Sequence, residues 1–388
     1  MPSARYIGAM PEVASSTDVA VVGAGLVGLA CARELASRGR EVILLERHER
    51  FGVETSSRNS EVVHAGIYYP PGSLKAMLCA EGNPALYAWC ESHGVPHHRT
   101  GKVIVATAAE EEPKLAEILA RAQANGVRSL VPLSAAEVRR LEPHVTATAG
   151  LWSPDTGIVD SHVLMASLLA EAEARGAMVA WRHQLTAAAR EKDRYVLVAR
   201  DESGEETVFA ARQVVNAAGL DADRVAALPG LDIAGCGYEL CFARGHYFRV
   251  HARKSHLATH LIYPTPVQGG LGIHVTLDMA GSLRLGPDVE WLDHRRQEYP
   301  VDPALAPRLH AAVSSYLDGL DLDDLAPDQS GIRAKLQRPG EAFRDFVVAE
   351  EGVRGLPGWV NLVGIESPGL TCALPIAARA ADLLQEAL

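Results

Sequence analysis

Residues 19–46 read VAVVGAGLVGLACARELASRGREVILLE, and this run constrains the chain more than any other. Val19 to Val22 is an apolar strand. Gly23, Gly25 and Gly28 then fill the three positions of GxGxxG. Ala32, Leu35 and Ala36 recur at helical spacing, Gly39 ends the helix, and Val42 to Leu45 form a second strand that finishes on Glu46. Each piece has a physical role in holding a dinucleotide. Gly23 permits the tight turn, Gly25 admits a pyrophosphate to the backbone, and Gly28 lets the helix lie close to the sheet. The first turn of the helix, with Leu26 and Val27, offers N–H groups and a positive dipole end to phosphates. Glu46 stands where a carboxylate can accept from ribose hydroxyls, with Arg47 beside it.

Bulk properties narrow the surroundings. A chain of 388 residues has room for two domains, and a net charge of −11 argues against nucleic acid or an anionic membrane as a general partner. Residues 1–17 read as a flexible leader without a signal-peptide core, and no stretch has the length of a membrane span. Peripheral membrane contact and a homo-oligomer stay open. The six cysteines show neither CxxC nor zinc-like spacing, so reduced thiols in a cytoplasmic protein and no metal are expected.

Further along, periodicity predicts helices from about Ser73, over Glu110 to Asn125, over SAAEVRRLEP and over His162 to Arg175. Strands are expected at Val103 to Ala106, Met178 to Trp181, Tyr195 to Ala199 and Thr207 to Ala210. Another, Gln213 to Ala217, runs into Ala218 and Gly219 beside the nucleotide unit. LWSPDTGIVD reads as a turn-bearing link. Cys236 to Val289 is rich in short strands cut by Pro and Gly, which suggests an antiparallel sheet. Arg295 to Leu317 reads as mostly helical. The final segment is a strand, a Gly/Ser/Pro turn and a helix.

The order of these segments resembles the L-2-hydroxyglutarate dehydrogenases of the FAD-dependent D-amino-acid oxidase and glycine oxidase superfamily. The resemblance is carried by SSRNSEVVHAGIYYPPGSLKAMLCAEG, TGIVD at Thr156 to Asp160, NAAGLDADRVA from Asn216 and ARGHYFRV from Ala243. LIYPTPVQGGLGIHVTLDMAGSLRLGPD, GIRAKL from Gly331 and GIESPGLTCALPIA from Gly364 add to it. It implies an α/β fold: a discontinuous Rossmann-like FAD-binding domain (18–85, 150–230 and 331–388) and an antiparallel β-sheet substrate domain (86–149 and 231–330). It also implies non-covalent FAD, a small acidic substrate, and oxidation of an L-2-hydroxy acid by hydride transfer to the flavin. Quinone or oxygen would be the electron acceptor. An amine or amino-acid oxidase of the same superfamily, and a non-catalytic FAD-containing protein, are the alternatives.

Candidate site residues follow from both readings. Thr55, Ser56, Ser57, Arg58 and Asn59 offer polar groups for pyrophosphate and the flavin edge. Gly364, Ser367, Pro368, Gly369, Leu370 and Thr371 form a helix-opening turn that could stabilise charge on a reduced flavin. His64 lies between apolar residues and by itself suits a core; the resemblance moves it towards the flavin. His274, read as mid-strand with Gly272 and Thr276 on its face, is the preferred base, with His64 second. Arg333 is the expected carboxylate clamp, because its planar fork matches a carboxylate. Arg244 and Lys335 are second candidates for a distal acid group, and Tyr263 either orients substrate or fills the core.

Overall fold

The computed structural model describes residues 13–266, 272–295 and 297–387; most of the expected leader, and the VQGGL part of the 261–288 segment, lie outside the described residues. Its first sheet is built on the 19–46 unit. Ser15–Val22 pairs in parallel with Val42–Glu46 on one side and Glu206–Asn216 on the other. Met178–Trp181 extends the parallel set beyond Val42–Glu46, and Leu356–Val363 extends it beyond Glu206–Asn216. Both faces of this centre are covered, which is why Val19, Val21, Val214 and Val360 are all fully buried. The helix Leu26–Ser37 packs with Ser161–Ala174 and the C-terminal helix Ala373–Glu386 on one face. Antiparallel strands close the edges: the hairpin Gln184–Glu191/Arg194–Arg200 and the strand Val347–Glu351.

Among the described residues the second sheet has nine strands. Cys241–Val250 is its spine, pairing antiparallel with Leu325–Lys335 along one side. On the other side the sheet continues through Leu283–Leu285, Val275–Leu277 and Leu261–Pro264 to Lys102–Ala106, Ala149–Ser153 and Val131–Ser134. All these pairs are antiparallel except Leu261–Pro264 with Lys102–Ala106. Val103, Phe248, Ile262, Val275 and Leu285 line one face and pack with Leu309 and Val313 of the helix Ala306–Val313.

Several expectations need correction. Ala149–Ser153 and Gly157–Val159 are strands, so LWSPDTGIVD is more than a link: Ala149–Ser153 completes the second sheet by pairing with Lys102–Ala106. The domain limits drawn at 150 and 331 both fall inside strands of that sheet. The first described strand begins at Ser15, so the last three residues of the expected leader, Ser15 to Thr17, belong to it. The two strands expected over 207–217 are one continuous strand, which pairs with Arg194–Arg200 through its first half and Leu356–Val363 through its second. Among the described residues, the 295–317 stretch holds one α-helix, Ala306–Val313.

The helix expected from Ser73 runs Leu74–His93. The Ser73 side chain caps it by accepting from the Ala76 N–H at 3.2 Å, and Gly94 closes it in the left-handed region.

Candidate active site

The glycine turn is built on close backbone approach. Gly23 has φ +103°, its N–H donates to the Leu45 carbonyl at 2.8 Å, and a Cβ there would lie 2.6 Å from the Ala217 oxygen. At Gly28 a Cβ would lie 1.8 Å from the Gly23 oxygen, so the helix can sit this close only with glycine. Gly25 caps the helix, and the Leu26 N–H donates to Ser56 Oγ at 2.9 Å. Glu46 ends its strand with its carboxylate fixed: one oxygen accepts from the Ala24 N–H at 2.7 Å, the other from the His48 N–H at 2.9 Å. Gly23, Gly25, Val27, Glu46, Arg47, Ser56, Ala218 and Gly219 line one cleft, which with its mouth encloses about 1040 Å³. First-turn N–H groups facing an open cleft beside a bare Gly25 suit a pyrophosphate, and the Glu46 carboxylate keeps lone pairs for a ribose.

The loop after Glu46 divides its work. Arg47 pairs with Glu54 (Nε to Oε1 2.9 Å) and Asp221 (2.6 Å), tying the loop to the residues after Gly219. Thr55 Oγ1 donates to the Ile332 carbonyl at 3.0 Å, Ser57 Oγ to the Glu54 carbonyl at 3.2 Å, and Asn59 Nδ2 to the Ser56 carbonyl at 2.8 Å. These three shape the loop and dock it on the second sheet. Ser56 is the one whose hydroxyl meets the helix N-terminus. The Arg58 guanidinium stacks on the Tyr299 ring at 3.9 Å, and its backbone passes so close to Gly331 that a Cβ there would lie 1.9 Å from the Arg58 oxygen.

The C-terminal turn converges on His64. Ser367 Oγ lies 3.2 Å from His64 Nε2, and Thr371 Oγ1 accepts from the His64 N–H at 2.9 Å. Gly82, within the helix Leu74–His93, lets the Thr371 carbonyl approach; a Cβ there would lie 2.2 Å from it. Gly364 opens the turn at φ +70°, against Leu336. Pro368, Gly369 and Leu370 carry it to Cys372, whose N–H donates to the Pro368 carbonyl at 3.1 Å, and the helix proper begins at Ala373. Glu366 is gripped by Lys75 at 2.9 Å and Lys335 at 2.6 Å. Burial would raise its carboxyl, but the two ammoniums outweigh that and hold it below the ordinary value. Lys335, a candidate for a distal substrate group, is thus tied to the turn itself.

Register sorts the remaining candidates. Arg333 lies opposite Ala243, and Arg244 opposite Ile332, so the two arginines project from opposite faces of the second sheet. The Arg333 face is the one turned to the cofactor loop: Tyr247 Oη meets Ser60 Oγ at 2.9 Å, and Gly331 abuts Arg58. Among the described residues Arg333 makes no hydrogen bond or ion pair. Arg244 lies 3.6 Å from Glu290, with His246, Asp288 and Arg308 forming a linked set nearby. The structure therefore does not bring Arg244 together with Arg333.

His274 precedes the strand Val275–Leu277, where mid-strand was expected, and its ring stacks flat on Tyr263 at 3.5 Å. Beside Tyr263 lies a buried group that sequence reasoning missed. Lys102 is fully buried, its Nζ has no hydrogen-bond partner among the described residues, and it sits 4.6 Å from the Tyr68 ring centre and 4.5 Å from that of Tyr263. Burial pulls its amine down to about 7. His64 is pushed down to about 3, by burial first and then by the Lys102 charge. A signal for Lys102 existed: it opens KVIVA, an apolar run in which a lysine is out of place.

A dinucleotide cradle on a parallel sheet, roofed by a second sheet whose Arg333 has no partner among the described residues and faces the cradle's loop, fits an oxidoreductase that binds a dinucleotide cofactor. The chain belongs to the DAO family, FAD dependent oxidoreductase, whose pattern matches residues 18–383. It is 40% identical to the mitochondrial L-2-hydroxyglutarate dehydrogenase of Arabidopsis thaliana over 94% of this chain and 83% of that protein. With L-2-hydroxyglutarate dehydrogenase of Escherichia coli (strain K12) it shares 29% identity over 96% of this chain and 94% of the other. Among solved structures, dithionite-reduced L-alpha-glycerophosphate oxidase from Mycoplasma pneumoniae with FAD bound superposes with a TM-score of 0.86. It is 26% identical, over 96% of this chain and 95% of that one. Glycine oxidase from Geobacillus kaustophilus shares the fold, with a TM-score of 0.78 at 20% identity over 96% and 95% of the two chains. No described helix is long and apolar enough to cross a membrane.

Proposed function

We propose that the protein oxidises the C2 alcohol of L-2-hydroxyglutarate, or of a close L-2-hydroxy acid, to the 2-oxo acid. The relatives named for that substrate support the reading over nearly the whole chain. The structural observation that carries it is Arg333, a half-buried guanidinium left without a partner among the described residues on the face turned to the cofactor loop. Its fork can take the C1 carboxylate in two parallel hydrogen bonds and so aim the single C2 hydrogen of the L enantiomer at the cofactor. Gly23, Gly25, Gly28, Glu46 and Ser56 and the turn from Gly364 to Thr371 would hold FAD, which when bound would supply the hydride acceptor.

His64 takes the hydroxyl proton in this reading. Its ring is half-buried and reaches Ser367 in the turn, whereas the His274 ring lies flat on Tyr263 and is 6% exposed. The electrons leave afterwards to a quinone or to oxygen, and turnover with a soluble quinone under nitrogen tells the two apart.

Anaerobic mixing with L-2-hydroxyglutarate, its D enantiomer and a set of amino acids tests the proposal. Bleaching of the flavin band by L-2-hydroxyglutarate alone is expected. Bleaching by amino acids and not by hydroxy acids would overturn it in favour of C–N oxidation.

A further inference from the structure

Lys102 is hard to explain as part of a core. An unpaired buried ammonium costs several kcal/mol, and a leucine would fill the same volume without that cost. Nor can it grip substrate, because its Nζ has essentially no accessible surface. Its surroundings connect it to the reaction centre. Two tyrosine faces clasp it, Tyr68 from the loop that begins with His64 and Tyr263 from the adjacent strand. Tyr263 in turn carries the His274 ring. Cys79, on the helix Leu74–His93, donates from its Sγ to the His64 carbonyl at 3.4 Å.

We propose that Lys102 is a positioning residue for the reaction: a charge sealed behind Tyr68 and Tyr263 that governs whether His64 can hold the substrate's hydroxyl proton. The inference rests on the reading of His64 as proton acceptor. In that step the hydroxyl proton passes to His64 as the C2 hydrogen leaves with its electron pair to FAD. A positive charge close by in a dry setting opposes a second positive charge on the imidazole. With Lys102 protonated, His64 stays a poor acceptor. With Lys102 neutral, the opposing charge is gone and His64 becomes a better base.

The other groups around His64 do not offer the same control. Ser367 and Thr371 on the turn and Asn83 on the helix carry no charge, and Asn83 Nδ2 donates to the His64 carbonyl at 3.0 Å. The phenol of Tyr69, set beside Ser367, and the thiols of Cys79 and Cys372 face the same turn; burial raises Tyr69 and Cys372, keeping both neutral. Lys75, Lys335 and Glu366 form a closed group in which the glutamate is matched by two lysines. Lys102 has no such match among the described residues, and burial sets its titration near neutrality. A charge that switches in the working pH range beside a proton acceptor suits control of that acceptor.

The test uses the FAD-loaded enzyme with nitrogen-15 histidine and lysine. In the wild type, Lys102 Nζ should lose its proton near pH 7, far below the surface lysines. In Lys102→Met the His64 imidazole should titrate at least one pH unit higher than in the wild type. The flavin-reduction rate of this variant should also exceed the wild type's at pH 6, by roughly threefold or more, with substrate affinity little changed. Lys102→Arg keeps a permanent charge and should reduce slowly at every pH.

A Lys102 that stays charged through pH 9 overturns the inference, and this measurement needs no variant. An unchanged His64 titration in folded Lys102→Met overturns it too. His64→Gln separates this failure from that of the broader reading. If His64→Gln reduces at the wild-type rate, His64 is not the acceptor. If it is slow while Lys102→Met keeps the wild-type pH profile, only the role of Lys102 falls.

Discussion

Arg333 lies across Gly245, one of its guanidinium nitrogens 2.9 Å from where a Cβ at 245 would stand. The absence of a side chain on the neighbouring strand is therefore what lets the arginine lie flat on the sheet. The same Cβ would also lie 2.7 Å from Pro287. Gly245→Ala is expected to displace the guanidinium and weaken binding of L-2-hydroxyglutarate. Arg333→Lys should weaken it by roughly ten- to a hundredfold, the equivalent of about 1.5–3 kcal/mol for a charge-assisted contact. Both proteins should retain FAD. Rapid-mixing titrations give the substrate affinity, and normal binding by Arg333→Lys would mean that another cation holds the carboxylate.

Gly25 and Gly28 should fail in different ways. At Gly28 a Cβ meets the Gly23 backbone at 1.8 Å, so Gly28→Val should break the strand–helix contact and give little folded protein. At Gly25 the nearest atom to a Cβ is Ser56 Oγ at 3.0 Å, and the space beyond it belongs to the cleft. Gly25→Val is expected to fold without FAD. The ratio of flavin absorbance to protein reads this out, and near-normal occupancy would show that the pyrophosphate lies elsewhere. In the wild type, acid precipitation should leave the flavin in the supernatant. Flavin retained on the pellet would point to a covalent link, with Cys372 and His64 the first residues to check.

Glu366 is the counter-charge to two lysines under the C-terminal turn. Glu366→Gln leaves Lys75 and Lys335 facing each other without it, and breaking such buried pairs costs about 3–5 kcal/mol. The variant should melt lower and lose FAD more readily. Adding Lys335→Met should recover part of the loss, because it removes one of the two stranded charges. A Glu366→Gln protein with wild-type melting and FAD retention would show that the triad contributes little.

The FAD-binding half was legible because its signals are local. The turn from Gly23 to Gly28 and the acid at Glu46 depend on spacing within one strand–helix–strand unit, and a pattern of that kind survives any surroundings. The second sheet's face turned to the cofactor loop was not, because it is assembled from strands distant in sequence. Arg244 and Arg333 look alike as arginines in β-rich segments; only the register Ala243 to Arg333 separates their faces. His274 read as mid-strand by alternation, yet the strand starts one residue later and the ring settles on Tyr263. Ala149–Ser153 was hidden because its Gly150 carries no side chain to show alternation. A Cβ there would crowd Val138 at 2.8 Å.

Lys102 also bears on stability as a function of pH. Its amine is drawn down to about 7 by burial, from an ordinary value of 10.5 in the unfolded chain. Between those values the unfolded chain binds a proton that the folded chain releases, so folding weakens as pH falls. The sign is therefore fixed: no penalty above about 10.5, a growing one on descent, and the full penalty below about 7. One pKa unit corresponds to about 1.36 kcal/mol, which puts the full effect on the order of a few kcal/mol. Lys102→Met should accordingly raise the thermal midpoint of the FAD-loaded protein at pH 7 by several degrees. The gain should shrink as pH rises and vanish near pH 10.5. Melting curves for both proteins across pH 6–10.5, at one FAD concentration and one scan rate, measure the difference. A gap that stays constant with pH would assign it to packing alone and leave the Lys102 charge without a cost.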